Sequence, residues 1–272
     1  MEKALTKKVN RYFLWICYKG TPYAGWQKQP HGNTVQNHVE KALAQVCQKV
    51  KIYGSSRTDQ GVHATANVAH VDLHSPLGEA IDCHQLRRNL NGVLPRAIYI
   101  RAIHPVPPHI HARHSAIGRS YRYHISAYRN PFTLDTTYHL RTALDVSQLN
   151  AAAALLIGEQ NFTSFCKKKA NVTHYYCNVT EAKWEKTSYG YAFIISANRF
   201  LHGMVRSLAG TLLQVGLHQC RLADFTQILL AKDRCQAGPA LPAHGLFLTK
   251  VTYPPAVSTP NFDNEAYTLG FL

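Results

Sequence analysis

Residues 56–63 read Ser56-Arg57-Thr58-Asp59-Gln60-Gly61-Val62-His63 and set the most conspicuous carboxylate of the chain beside a guanidinium and a glycine. A carboxylate so close to an arginine is expected to stay ionised and oriented. That makes Asp59 a candidate nucleophile or general base. The chain around it is strongly cationic, with 30 Lys+Arg against 15 Asp+Glu and a formal net charge of +15. Such a surface suits a polyanionic substrate, against which an ionised acid is a chemical tool more than a binding group. Gly61 permits a turn that projects Asp59 into a cleft, although an aspartate bonding its own backbone would use the same turn.

Three further residues could share that chemistry. Arg57 either holds a substrate phosphate or pairs with an acid elsewhere, since alternate residues of an extended segment share a face. In Gly118-Arg119-Ser120-Tyr121-Arg122-Tyr123 the period of two puts both tyrosines and Arg119 on one side. An aromatic and a cation on one face suit a base and a phosphate, but cross-strand packing uses tyrosines too. At most one of the two tyrosines is expected to meet substrate. Arg206 follows Arg199-Phe200-Leu201-His202-Gly203-Met204-Val205 and enters an apolar helix. A cation there either snorkels to the surface or takes an acidic partner, for which Asp59 is the sharpest candidate.

Other chemistries lack their signatures. His109, His111 and His114 form an H-x-H-x-x-H string, and His63, His70 and His74 could join it, but no Cys or carboxylate spacing completes a recognisable metal set. The chain holds no P-loop, no G-x-G-x-x-G and no G-x-S-x-G, so no metal and no cofactor is expected. Seven scattered cysteines without a C-x-x-C pair indicate reduced, mostly buried thiols rather than a disulfide framework. No run is long enough for a membrane span or a secretory signal, which makes the cytoplasm the expected location. With 46% hydrophobic residues over 272, the chain can bury one large core or two small ones. The excess of positive charge, interleaved with 15 tyrosines, favours a nucleic-acid partner over a merely cationic surface.

The elements that must position these residues alternate between periods. A strand is expected over 11–18, a helix after the cap Thr34, strands over 51–56 and 64–73 flanking the Asp59 turn, a helix over 80–93 and a strand over 97–103. A proline-rich connection over 104–108 follows. The order then recurs: a strand over 120–127, a helix over 147–157, a hairpin over 172–198 turning near Tyr189-Gly190, helices over 201–215 and 223–232, and a closing strand over 245–253. The first half spells β-α-β-β-α-β, and the second shares that split β-α-β order with one further helix before its closing strand. The expected fold is α+β, with a first half over 1–107 carrying the aspartate loop, a second over 108–254, and an unassigned tail over 255–272.

Several motifs, taken in order, resemble the TruA family of tRNA pseudouridine synthases. They are Tyr18-x-Gly20-x-x-Tyr23-x-Gly25-Trp26-Gln27 with Thr34-Val35-Gln36, Arg57-Thr58-Asp59-x-Gly61-Val62-His63, His111-Ala112-Arg113-x-Ser115-Ala116 with Arg119-x-Tyr121-x-Tyr123, Asn161-Phe162-x-Ser164-Phe165, and Phe200-Leu201-x-x-Met204-Val205-Arg206. The resemblance runs from about Tyr18 to Tyr253. It implies a pseudouridine synthase fold of two ferredoxin-like halves, their antiparallel sheets joined around a central basic cleft. It implies isomerisation of uridine to pseudouridine at positions 38, 39 and 40 of the tRNA anticodon arm, by a homodimer and without cofactor. Asp59 would then be the essential aspartate, Tyr121 would pack on the target uracil, and Arg57 and Arg206 would be basic residues of the active site. Two positions depart from the family pattern: Lys19 stands where Asp is usual, and Ser56 where Gly is usual. The competing readings are a catalytically silent RNA-binding protein, which would not need Asp59, and a metal-dependent nuclease built on the histidines.

Overall fold

The computed structural model describes residues 8–75, 81–167, 173–257 and 260. They form a mixed α+β structure of mostly antiparallel strands, with five α-helices among the described residues. Two compact units are resolved, one running to Ala116 and resuming at Val251, the other spanning Ile117–Lys250.

The first unit contains β1 (Lys8–Tyr18), α1 (Val35–Val46), β2 (Ile52–Gly54), β3 (His63–Ser75), α2 (Cys83–Val93) and β4 (Ile98–Val106). β1 lies between β3 and β4, antiparallel to both, and the short β2 adds to β3. Phe13, Leu14 and Ile16 are fully buried, which accounts for an apolar run on both faces of this strand. The Thr34 hydroxyl caps α1 by accepting from the Asn37 N–H at 3.4 Å, and Val35, Val39, Ala42 and Leu43 turn inward at helical spacing.

Several boundaries differ from expectation: β1 already starts at Lys8, and β3 runs over His63–Ser75. β2 stops at Gly54 rather than continuing to residue 56, although the Ser55 N–H still donates to the Val68 carbonyl of β3 at 2.6 Å, and the Trp26 indole occupies the space a Cβ on Gly54 would need. The expected helix start at Ala80 lies outside the described residues. The helix opens after Asp82, whose carboxylate accepts from the N–H groups of His84 and Gln85 at 2.9 and 3.0 Å. β4 runs through Pro105 to Val106 where a connection was expected. It is the outer strand on β1, so the missing proline N–H costs no ladder bond on its open side.

The second unit contains β5 (Gly118–Ser126), β6 (Tyr138–His139), α3 (Val146–Ala154), β7 (Gly158–Asn161), β8 (Tyr176–Thr187), β9 (Gly190–Ala197), α4 (Met204–Gly216) and α5 (Leu222–Ala231). The strands run β5-β9-β8-β7, all antiparallel, with the two-residue β6 parallel to β5. β10 (Leu246–Thr252) follows and reaches the boundary at which the first unit resumes. β6 and β7 are too short to leave a period in the sequence. α3 ends at Ala154, three residues before the expected end, and the chain passes through Gly158 at φ +96° into β7. α4 begins at Met204 instead of Leu201, since Gly203 at φ +72° breaks the helical path. Thr187 pairs with Gly190, so the hairpin turns at Ser188-Tyr189, one residue early, while its expected start at Val172 is outside the described residues. Of the seven cysteines, all unbridged, only Cys166 and Cys177 are buried, which corrects the expectation that most would be.

Candidate active site

Asp59 sits on the loop between β2 and β3, and the loop is tied on both sides of it. Its own carbonyl accepts from the Val62 N–H at 3.1 Å, and Gly61 takes φ +78°, the type II turn arrangement that demands glycine at the third position. One residue earlier, the Thr58 carbonyl accepts from the Trp26 N–H at 3.1 Å, and the Thr58 hydroxyl lies 2.8 Å from the Tyr18 hydroxyl. Asn67 of β3 completes the clamp. Its amide nitrogen donates to the Tyr18 hydroxyl at 3.2 Å and to the Ser56 carbonyl at 3.4 Å, and its amide oxygen accepts from the Ser55 hydroxyl at 2.9 Å. Downstream, His63 Nδ1 accepts from the Gly20 N–H at 2.9 Å.

Burial along the loop follows from these bonds. Ser55, Thr58, His63 and Asn67 are buried and satisfied, whereas Arg57 is exposed and Asp59 half-buried. Burying polar groups is tolerable only because each is paired, and the pairing leaves the loop few alternative positions. The motif around Gly20 and Gly25 now has a physical reason. A Cβ on Gly20 would run into the Val62 carbonyl, and one on Gly25, at φ +94°, would sit 2.7 Å from the Thr58 carbonyl oxygen and 3.2 Å from the Asp59 carbonyl carbon. Both glycines let residues 20–26 lie directly against the backbone that carries Asp59. A break in the β1–β3 register between Ile16 and Tyr18 re-aims the end of β1, a common use of a bulge beside a functional loop.

In the second unit, Tyr121 and Tyr123 share the inward face of β5, and both are buried. Tyr123 is fully buried and its hydroxyl donates to the Pro242 carbonyl at 2.8 Å. Burial pushes its pKa well up, against the opposing pull of the nearby Arg206. Tyr121 is 9% exposed and meets Phe200 edge to face, with ring centroids 5.1 Å apart. Arg119 donates to the Asn198 carbonyl at 3.0 Å, across the β5–β9 pair.

Arg206 stands in the first turn of α4, a helix whose apolar residues are almost all buried. Its Nε donates to the Leu241 carbonyl at 2.6 Å while the Leu241 N–H returns a bond to the Arg206 carbonyl at 3.1 Å. A backbone oxygen, not a carboxylate, therefore receives this Nε. The same segment closes on α4 at Gly210, where a Cβ would overlap the Pro239 carbonyl. Arg57 and Asp59 thus share one loop of the first unit, and Tyr121 and Arg206 belong to the packing of the second.

Sequence reasoning missed Ser55, Asn67 and the clamp role of Tyr18. Asn67 carried a readable signal, a lone amide between buried Ala66 and Val68 that must find partners. Among the described residues no group of three or more His, Cys, Asp or Glu is placed to hold a metal ion. No helix among them is long and apolar enough to cross a membrane.

The chain matches the family model described as tRNA pseudouridine synthase over residues 16–115 and 152–254. It is 40% identical over 247 residues to tRNA pseudouridine synthase A of Parabacteroides distasonis, covering 90% of this chain and 97% of that protein. The same-named protein of Bacteroides fragilis is 40% identical over 248 residues, covering 90% and 97%. That of Staphylococcus saprophyticus subsp. saprophyticus is 35% identical over 258 residues, covering 94% and 95%.

Proposed function

The chain belongs to the tRNA pseudouridine synthase family, and from that membership we infer that it is an isomerase converting uridine to pseudouridine in tRNA. The finer reading is our own: Asp59 is the nucleophile, Arg57 and Arg206 are basic residues of the active site, and Tyr121 packs on the target uracil. The fold would be the family's two ferredoxin-like halves with joined sheets about a basic cleft. The substrate uridines would lie at positions 38, 39 and 40 of the anticodon arm, the enzyme would act as a homodimer, and its location would be the cytoplasm.

The chemistry explains why a held carboxylate is wanted. The C1′–N1 bond breaks, the detached uracil turns within the pocket, C5 bonds to C1′, C5 gives up a proton and N1 gains one. Electrons and protons balance inside the nucleoside, so the isomerisation asks for no redox partner and no cofactor. A deprotonated Asp59 oxygen, brought close to the sugar or ring, supplies the attacking group. A stacked uridine is out of reach, so the base must leave the helix at a cost of a few kcal/mol, offset by stacking on Tyr121 and by cationic contacts to phosphate.

The observation that carries this reading is the clamp on the Asp59 loop. Thr58, Val62 and His63 are each fixed by bonds from Tyr18, Trp26, Asp59 or Gly20, while the acid itself keeps an exposed side. Preorganising one short loop to that degree is what a reacting group needs and what a surface turn does not. The test is carbodiimide-labelling primer extension on an unmodified tRNA transcript incubated with the protein. A new stop in the anticodon arm is expected with wild type and none with Asp59→Asn. Modification by the Asn variant would sink the assignment.

A further inference from the structure

A groove of about 690 Å³ opens on the unit that carries Asp59, and its lining includes Lys51, Tyr53, Arg57, His111, Arg113 and His114. Its one lining carboxylate, Glu40, is committed to the wall. It accepts from the Gln36 amide at 3.0 Å, the Ile52 N–H at 3.2 Å and the Lys28 ammonium at 2.8 Å. Beyond the paired Lys28, the lining cations Lys51, Arg57 and Arg113 face a groove with no other acid in its lining among the described residues.

One side of the groove is made of rings. Tyr53 stacks on His70 with centroids 5.0 Å apart and planes 15° from parallel, His70 meets His111 at 4.5 Å, and His111 meets His114 at 4.4 Å. His70 Nδ1 accepts from the Ala112 N–H at 3.2 Å, and His111 Nδ1 accepts from the N–H groups of Arg113 and His114 at 3.0 and 3.3 Å. A ring nitrogen that accepts a backbone N–H is not protonated, and burial lowers the pKa of both histidines, that of His70 to about 4. The His70 and His111 rings consequently present an uncharged π surface near neutral pH. Tyr53, the outermost ring of this side, is 51% exposed although its inner neighbour His70 is buried.

An anion such as free phosphate would use the cations and leave the rings idle. A nucleotide uses both, because base stacking on aromatic rings and cationic contact with the backbone are the two terms of single-strand binding. We propose that this groove docks one unpaired nucleotide of the RNA substrate, with its base stacked on Tyr53 and its phosphate held by Lys51 and Arg113. Arg57 lines the same groove two residues before Asp59, so a strand seated here is held close to the reacting residue. The proposal rests on the tRNA-modifying function inferred above.

The test measures binding and chemistry separately. Fluorescence anisotropy of a labelled, unmodified tRNA transcript is followed across a salt series for wild type, Tyr53→Ala, Tyr53→Phe and Lys51→Gln, with circular dichroism melts confirming the fold. Tyr53→Ala is expected to weaken binding by about tenfold with an unchanged salt slope, and Tyr53→Phe to restore it, since the ring and not the hydroxyl does the stacking. Lys51→Gln is expected to lower the logarithmic salt slope by about 0.7–0.9, the value of one phosphate contact. A folded Tyr53→Ala protein that binds within about twofold of wild type would overturn the proposal, as would loss of binding that Tyr53→Phe does not rescue. Pseudouridine formation is assayed on the same wild-type preparation. Its absence would count against the inferred reaction, while the groove is still judged by the binding series alone.

Discussion

The hydroxyls of Tyr18 and Thr58 lie 2.8 Å apart in a buried pocket, joining the end of β1 to the residue just before Asp59. Asn67 donates to the same tyrosine oxygen at 3.2 Å, so one hydroxyl ties together three segments distant in sequence. The bridge from position 18 ends one residue before position 59.

Tyr18→Phe removes the bridge and leaves the Thr58 hydroxyl and one Asn67 N–H underpaired. The expected cost is about 1–3 kcal/mol of stability, the usual penalty for a buried polar group that loses its partner. If the bridge positions Asp59, kcat falls while KM for tRNA changes little. Urea denaturation and steady-state kinetics together check this. A stability loss with unchanged kcat would make the bridge purely structural.

Gly20→Ala is expected to reduce activity by about tenfold or more, because the added methyl overlaps the Val62 carbonyl and must displace the loop. Gly92→Ala is the control. A Cβ on Gly92, in the last turn of α2, meets nothing within 4 Å, so the substitution should stabilise by about 0.4–1 kcal/mol, through the unfolded chain, and leave turnover untouched. Thermal melts should rise for Gly92→Ala, while activity should fall for Gly20→Ala alone.

Asp59→Asn should abolish turnover yet keep tRNA affinity within a few-fold, since it removes the reactive oxygen and little surface. Filter binding beside primer extension measures both.

The two tyrosines of β5 should separate by kinetics. Tyr123→Phe loses the bond to Pro242 and should cost about 0.5–1.5 kcal/mol of stability with no specific chemical defect. Tyr121→Phe keeps the ring that meets Phe200 and should cost no more than about 0.5–1.5 kcal/mol of stability. If its hydroxyl moves a proton, the base-flipped complex accumulates before the last step, which quench-flow analysis of the bound RNA would reveal. Wild-type rates would reduce Tyr121 to a packing surface.

His70 supplies a pH dependence with a definite sign. Its folded pKa is depressed to about 4 from an ordinary 6.5, so between these values the unfolded chain binds a proton that the native state refuses. Stability is therefore complete above about pH 6.5 and falls as the pH drops towards 4. His111, also depressed, adds to the same slope. Asp72, held low by its bond with Arg11, begins to cost stability only below its ordinary 3.8. Urea midpoints between pH 4 and 7 check this, and His70→Phe should flatten the curve over that window.

What the chain declares locally was readable in advance. The aromatic and β-branched run of β1, the Thr34 cap, the Asp59 turn with its glycine and the ordered family motifs each depend on neighbours a few residues away, where composition and turn chemistry act directly. Boundaries slipped where a distant contact or a backbone detail ruled: β4 tolerates Pro105 because it is an outer strand, and α4 waits for Gly203. Which of Tyr121 and Tyr123 is fully buried, why Gly20 and Gly25 must lack a side chain, and how residues 53, 70 and 111 assemble one wall of rings were decided by the tertiary structure alone. The reason is physical. Local propensity sets what a segment is, whereas packing between segments far apart in sequence sets which atoms it touches, and the clamp on Asp59 consists almost entirely of such touches.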